Sequence, residues 1–253
     1  MKVCTIYFSP TGGTKKVALS LARALSPSLD SICEIDLSLV DYAFDKVEIT
    51  SDYLCVVAMP CFGGRIPQVA LDRLNRIKWS KVSVLLAVTY GNRHYDDSLS
   101  ELNDWAEEKG LFVVGALLAV TEHSMINKYG KGRPNAKDIN ELEDYAKCLR
   151  NNLSSRNFLD IKRKKPYRDY KGSSAKPITN SNCIRCGICQ ESCPVFAIPK
   201  TDPSKTDYDL CISCMRCIKI CPHKARLIEP LALKRLDEFL KPRCIEEKEN
   251  IFF

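Results

Sequence analysis

Continuous apolar runs alternate with amphipathic segments along the first part of the chain. Val3–Phe8 has the composition of a buried strand, and a small-residue turn, Ser9-Pro10-Thr11-Gly12-Gly13-Thr14, separates it from the helical spacing Val17, Ala18, Leu21, Ala22, Leu25. Ser31–Ile35, Tyr53–Met59, Val82–Thr89 and Leu111–Val120 read as four more buried strands, and Gln68–Ile77, Leu99–Lys109 and Ile139–Leu153 as helices. Strands apolar on both faces that alternate with helices predict an α/β domain, a doubly wound five-stranded parallel sheet covered on both sides. Asp41–Thr50 mixes Phe44, Val47 and Ile49 with charges and fits a loop or a short helix; Lys128–Pro134 reads as a basic loop.

The pattern changes at Phe158. Residues 158–179 carry seven Lys or Arg against two Asp, with two prolines and adjacent serines, and read as a solvated basic linker that would also steer an acidic redox partner. This segment holds most of the +7 net charge of the 253-residue chain, which argues against a broad nucleic-acid footprint. The divisions expected are a first domain over 1–157, the linker over 158–179, a cysteine-rich domain over 180–229, and a C-terminal helix and tail over 230–253. Leu231–Leu240 suits a packing helix, and Pro242–Phe253 a covering tail or a partner contact. No apolar run approaches the roughly 20 residues of an integral membrane helix. Met1–Pro10 leaves no room for a secretory signal, so a cytoplasmic chain is expected.

Candidate chemistry begins with cysteine. Eight of the 14 lie between 183 and 221. Cys183, Cys186, Cys189 and Cys193, followed by Pro194, form C-x₂-C-x₂-C-x₃-C-P, and Cys211, Cys214, Cys217 and Cys221, followed by Pro222, repeat it 28 residues later. Two zinc sites would leave the third cysteine of each triplet without a role. The run resembles that of bacterial two-cluster ferredoxins, each triplet taking its fourth thiolate from the other half. The resemblance implies two [4Fe-4S] clusters, one on Cys183, Cys186, Cys189 and Cys221, the other on Cys211, Cys214, Cys217 and Cys193. Ile184, Ile188, Ile198, Ile212, Ile218 and Ile220 are expected to exclude water from them. Gly187 permits a tight turn whose counterpart is Ser213 or Met215. Cys244 lies outside the repeat and is not expected to be a ligand.

The turn Ser9–Thr14 offers glycines, hydroxyls and a helix start to an anion, and equally suits a plain capped helix. It lacks the lysine ending of a nucleotide-triphosphate loop and is a poor dinucleotide fingerprint. Over Met1–Leu153 the chain resembles flavodoxin-like domains, whose phosphate loop runs hydroxyl-x-Thr-Gly-x-Thr; Gly13 departs from the Asn often found there. The resemblance implies strand order 2-1-3-4-5 and FMN at the carboxyl edge, with its phosphate at Ser9, Thr11, Gly12, Gly13 and Thr14. Its ring would then lie between Pro60, Cys61, Phe62, Gly63 and Gly64 after the third strand and Thr89, Tyr90, Gly91, Asn92, Arg93 and Tyr95 after the fourth. Phe62 and Tyr95 are the candidate stacking groups. Cys61 reads as a packing residue, His94 and His123 as structural histidines, and Glu122-His123-Ser124 as a border of the opening.

An electron-transfer protein carrying clusters and FMN follows from the two resemblances together. The alternatives are an FMN-dependent reductase of a small acceptor fed by the clusters, and a redox sensor that lacks flavin.

Overall fold

The computed structural model describes residues 2–26, 28, 32–152, 161 and 165–253. Strand β1 (Lys2–Tyr7) leads into helix α1 (Gly13–Leu25), followed by β2 (Ile32–Asp36), a short β3 (Glu48–Ile49) and β4 (Tyr53–Pro60). Next come α2 (Gln68–Arg76), a short β5 (Lys78–Trp79), β6 (Ser83–Tyr90), α3 (Ser98–Glu108), β7 (Phe112–Val120) and α4 (Ala136–Asn151).

The five long strands are parallel and lie in the order β2-β1-β4-β6-β7. Side chains alternate across the sheet, as the period of two requires. Cys4, Ile6 and Phe8 face one core with Leu71 and Leu74 of α2 and Leu102 and Trp105 of α3. Val3 and Tyr7 face the other with Val17 and Leu21 of α1 and Leu142 and Ala146 of α4. Helices thus cover both faces, and β4, β6 and β7 are mainly apolar because both of their sides are buried, while the edge strand β2 carries Glu34 and Asp36.

One feature corrects the sequence expectation for the sheet. The sheet has six strands rather than five: β10 (Ile251–Phe252), from the far end of the chain, pairs antiparallel with β7 at Ile251–Leu118 and Phe252–Leu117. An open edge of β7 is thereby paired, and a two-residue strand is too short to leave a periodic pattern. In the stretch 41–50, a short helix at Phe44–Lys46, one of the two forms expected there, buries Phe44 fully, and the unexpected part is β3, which pairs with β5. The proposed start of the second strand at Ser31, the end of the fourth helix at Leu153, and linker residues 158–160 and 162–164 lie outside the described residues.

The cysteine-rich half is bracketed by an antiparallel pair, β8 (Pro177–Thr179) with β9 (Arg226–Ile228). Between them sit two one-turn helices, α5 (Ile188–Glu191) and α6 (Arg216–Lys219). Positive φ values repeat at the 28-residue offset: Arg185 and Ser213 (56° and 54°), Gly187 and Met215 (82° and 63°), Phe196 and Lys224 (55° and 49°). The halves therefore share a backbone path, and Met215 takes the place of Gly187 in a conformation unfavourable to a side chain. Helix α7 (Pro230–Leu240), capped by the Glu229 carboxylate on the amides of Leu231 and Ala232, returns the chain to the first domain. No helix among the described residues is long and apolar enough to cross a membrane.

Candidate functional site

The third cysteine of each triplet, Cys189 or Cys217, stands in a one-turn helix, and the fourth, Cys193 or Cys221, follows that helix directly before Pro194 or Pro222. Cys183, Cys186, Cys189 and Cys221 line one cavity, together with Arg226. Cys193 is buried with Ala197 and Ile198, and Cys189, Cys211 and Cys217 pack against this cluster. Burial pushes the thiols of Cys214 and Cys217 up to about 12, with Cys193 and Cys211 both near enough to act on them. Burial also raises Cys221, but the amides of Ala225, Arg226 and His223 outweigh it and the thiol is lowered.

The resemblance to two-cluster ferredoxins implies that these gatherings act as crossed ligand sets. Among the described residues no three His, Cys, Asp or Glu side chains form a group able to hold a single metal ion. A donor set of soft sulfur alone suits iron–sulfur ligation, and the buried Nε of Arg226, which has no partner, fits an anionic neighbour. Cys214 and Cys217, raised by burial, are protonated at neutral pH, so taking up metal there must release protons.

The sets differ in exposure. Cys186 is exposed, while Cys193 and Cys214 are buried. Ile184 and Ile188 line the cavity of the first set, as expected, but are themselves 64% and 40% exposed and so shield it only in part. The second set backs onto the first domain, where Ile212 packs on its core and Arg73 of α2 donates to the Pro194 carbonyl at 2.6 Å, and onto the linker, where Ser213 meets the Ser173 carbonyl.

At the head of α1, Gly12 takes a left-handed conformation as the capping residue. Ser9 Oγ accepts from the Lys15 amide at 2.9 Å and Thr14 Oγ1 meets Thr89 Oγ1 at 2.8 Å, tying this loop to the end of β6. Thr11, Gly12 and Gly13 border a cavity of about 260 Å³ whose far wall is Met215, Ile218 and Lys219 of the cysteine-rich half. The first-turn amides have no partner within a helix, and Lys16 and Lys219 bring positive charge to a rim that also holds Glu122 and the Arg133 guanidinium, itself paired with Asp138. These residues fit a phosphate, with Ser9 and Thr14 spending part of their hydrogen-bonding capacity on the loop itself.

The two ring loops meet at the sheet edge, where the Cys61 amide donates to the Thr89 carbonyl at 2.7 Å. Phe62 packs edge-on against Phe8, and Tyr95 stacks on His94 at 4.6 Å, so both candidate stacking rings have partners within the protein. Burial pushes the Cys61 thiol up to about 11, the behaviour of a packing residue. His123 Nδ1 accepts from the amides of Met125 and Ile126, both at 3.2 Å, a structural role. Asn92 faces the C-terminal tail.

Sequence reasoning missed three contributors. Tyr170 lays its ring against Gly63, and Arg168 reaches Asp96 beside Gly64, so the end of the linker straps the ring loops. Arg65 is held on Glu101 at 2.7 and 2.9 Å with Tyr167 beneath it. Two tyrosines in a basic linker were the available signal. The third is Arg226, whose burial no local pattern discloses.

Residues 182–225 match the family model of a 4Fe-4S dicluster domain. Over 56 residues, 22% of its length, the chain is 38% identical to a component of the ion-translocating oxidoreductase complex of Methanosarcina acetivorans and likewise to polyferredoxin protein MvhB of Methanothermobacter thermautotrophicus. Those residues span only 21% and 14% of these relatives. Among solved structures, 61% of the chain aligns with all of a flavodoxin from the domain Archaea (TM-score 0.43, 13% identity). A further alignment takes 62% of the chain onto 99% of a WrbA-like flavodoxin from Agrobacterium tumefaciens (0.43, 14%). The flavodoxin-like fold is read from the strand order and the helices on both faces of the sheet.

Proposed function

We infer, from a chain that joins a flavodoxin-like fold to a 4Fe-4S dicluster domain, that it is an electron-transfer protein linking an outside redox partner, through two [4Fe-4S] clusters, to FMN. In this reading Cys183, Cys186, Cys189 and Cys221 hold the outer cluster, and Cys211, Cys214, Cys217 and Cys193 the inner one. FMN lies with its phosphate at Ser9–Thr14 and its ring between residues 60–64 and 89–95.

The observation that carries the reading is the unequal placement of the two thiol sets. One stands at the surface beside exposed Ile184, Arg185 and Lys224, which suits docking of an acidic redox protein. The other is buried against the first domain, where Met215 and Ile218 share a cavity with the phosphate loop. When bound, the clusters supply one-electron exchange and FMN one- or two-electron exchange.

The chain's own residues do the positioning. Thiol burial keeps water from the inner set, the Thr14–Thr89 contact holds the phosphate loop to a ring loop, and Tyr170 covers the Gly63 side. The test is anaerobic purification with iron, acid-labile sulfide and released-flavin analysis. About eight iron atoms and one FMN per chain are expected; zinc in place of iron, or no flavin after incubation with FMN, overturns the reading.

A further inference from the structure

The cysteine-rich half repeats itself at 28 residues, and one buried position breaks the symmetry. Ile198, five residues after Cys193, corresponds to Arg226, five residues after Cys221. Ile198 is 4% exposed in an apolar setting, and Arg226 is 3% exposed and cationic. Its guanidinium donates to Thr206 Oγ1 at 2.6 Å and to the carbonyls of Pro203 and Lys205, all neutral groups. Nε is buried with no partner.

Among the described residues no carboxylate lies within ion-pair distance of Arg226. A buried charge without a counter-charge is strongly unfavourable. What does lie beside it is sulfur: Arg226 lines the cavity of Cys183, Cys186, Cys189 and Cys221. Four thiolates around iron supply the missing negative charge.

We propose that Arg226 is the fixed counter-cation of the outer cluster and raises its reduction potential, while Ile198 leaves the inner cluster without an equivalent. The inference rests on the ligand assignment above. Reduction takes one electron from the donor and adds one negative charge to the cluster, so a fixed cation with a free N–H favours the reduced form.

The test is a mediated redox titration of anaerobically purified full-length protein, followed by electron paramagnetic resonance, in wild type, Arg226→Ile, Arg226→Gln and Arg226→Lys. The outer cluster is identified by its stronger relaxation with an aqueous paramagnetic ion. In Arg226→Ile its reduced-to-oxidised ratio at a fixed potential is expected to fall about tenfold, roughly 59 mV for a one-electron couple, and the inner cluster is expected to move less. Arg226→Gln, which can still bond Thr206, is expected to do the same and carries the test if the isoleucine variant does not fold. Arg226→Lys is expected to stay nearer wild type. Unchanged potentials, or equal shifts of both clusters, overturn the role of Arg226. Wild-type protein with zinc or fewer than two clusters overturns the ligand assignment, and this inference with it.

Discussion

The backbone amide of Lys248 donates to Asn92 Oδ1 at 2.8 Å, and Asn92 Nδ2 returns bonds to the carbonyls of Cys244 and Glu246 at 3.1 and 3.0 Å. A residue of the loop after β6 thus holds the tail that ends in β10. Only a side-chain amide offers donors and an acceptor together in this way. Asn92→Ala is expected to cost about 2 kcal/mol and to free residues 244–253, seen as faster amide exchange and proteolysis there. Unchanged exchange in that segment would show that the clamp is idle.

Arg133 and Asp138, 9% and 1% exposed in their side chains, form a buried pair at the head of α4. Arg133 Nε reaches Asp138 Oδ2 at 2.9 Å, and that oxygen also accepts from the Asn135 amide at 2.7 Å. Removing one partner strands the other, so Asp138→Ala is expected to cost about 3–5 kcal/mol in urea unfolding at neutral pH.

The same pair has an acid limit. Burial raises the Asp138 carboxyl, but Arg133 and the capping amide outweigh it and hold the group below the usual range. A lowered folded value means full stabilisation above the ordinary carboxylate range of about 4 and loss as pH falls through the folded value. Unfolding midpoints compared at pH 7 and below pH 4 are expected to converge between wild type and Asp138→Asn.

His123 adds a second pH dependence in a different window. Burial, assisted by Arg93, lowers its imidazole from 6.5 to about 4. Because Nδ1 must stay unprotonated to accept two amides, its contribution is complete above pH 6.5 and is lost as pH falls towards 4. Denaturation midpoints between pH 7 and 4 are expected to fall more steeply in wild type than in His123→Asn. Parallel curves would assign the acid sensitivity elsewhere.

Close approach at the ring loops separates stability from cofactor access. A Cβ on Gly91 would come within 2.7 Å of the His123 backbone, so Gly91→Ala is expected to cost about 1–3 kcal/mol in calorimetry. Tyr170→Ala removes a strap rather than core, and is expected to leave the melting temperature nearly unchanged while FMN in the loaded protein becomes more open to iodide quenching. Equal quenching in both proteins would remove Tyr170 from the cofactor site.

Metal removal is expected to act on one half of the molecule. The cysteine-rich half has only small apolar groups of its own, such as Cys193 with Ala197 and Ile198 and Ala175 with Met215 and Ile228, against the two large cores flanking the sheet. Anaerobic iron chelation is expected to raise amide exchange over 177–228 while β1, β4 and β6 stay protected.

The sequence alone determined what depends on neighbours along the chain. Buried parallel strands must be apolar on both faces, so five of the six sheet strands were legible, and ligand spacing inside each cysteine triplet is itself a local quantity. Tertiary structure decided what depends on distant residues meeting. The sixth strand exists because β10 reaches β7, Tyr170 matters because the linker folds back on Gly63, and Asn92 turns to the tail because Cys244, Glu246 and Lys248 present backbone groups to it. Arg226 makes the physical reason plain: a guanidinium in a sequence carries no mark of being dry, and only the packing around it turns a common surface charge into a buried one.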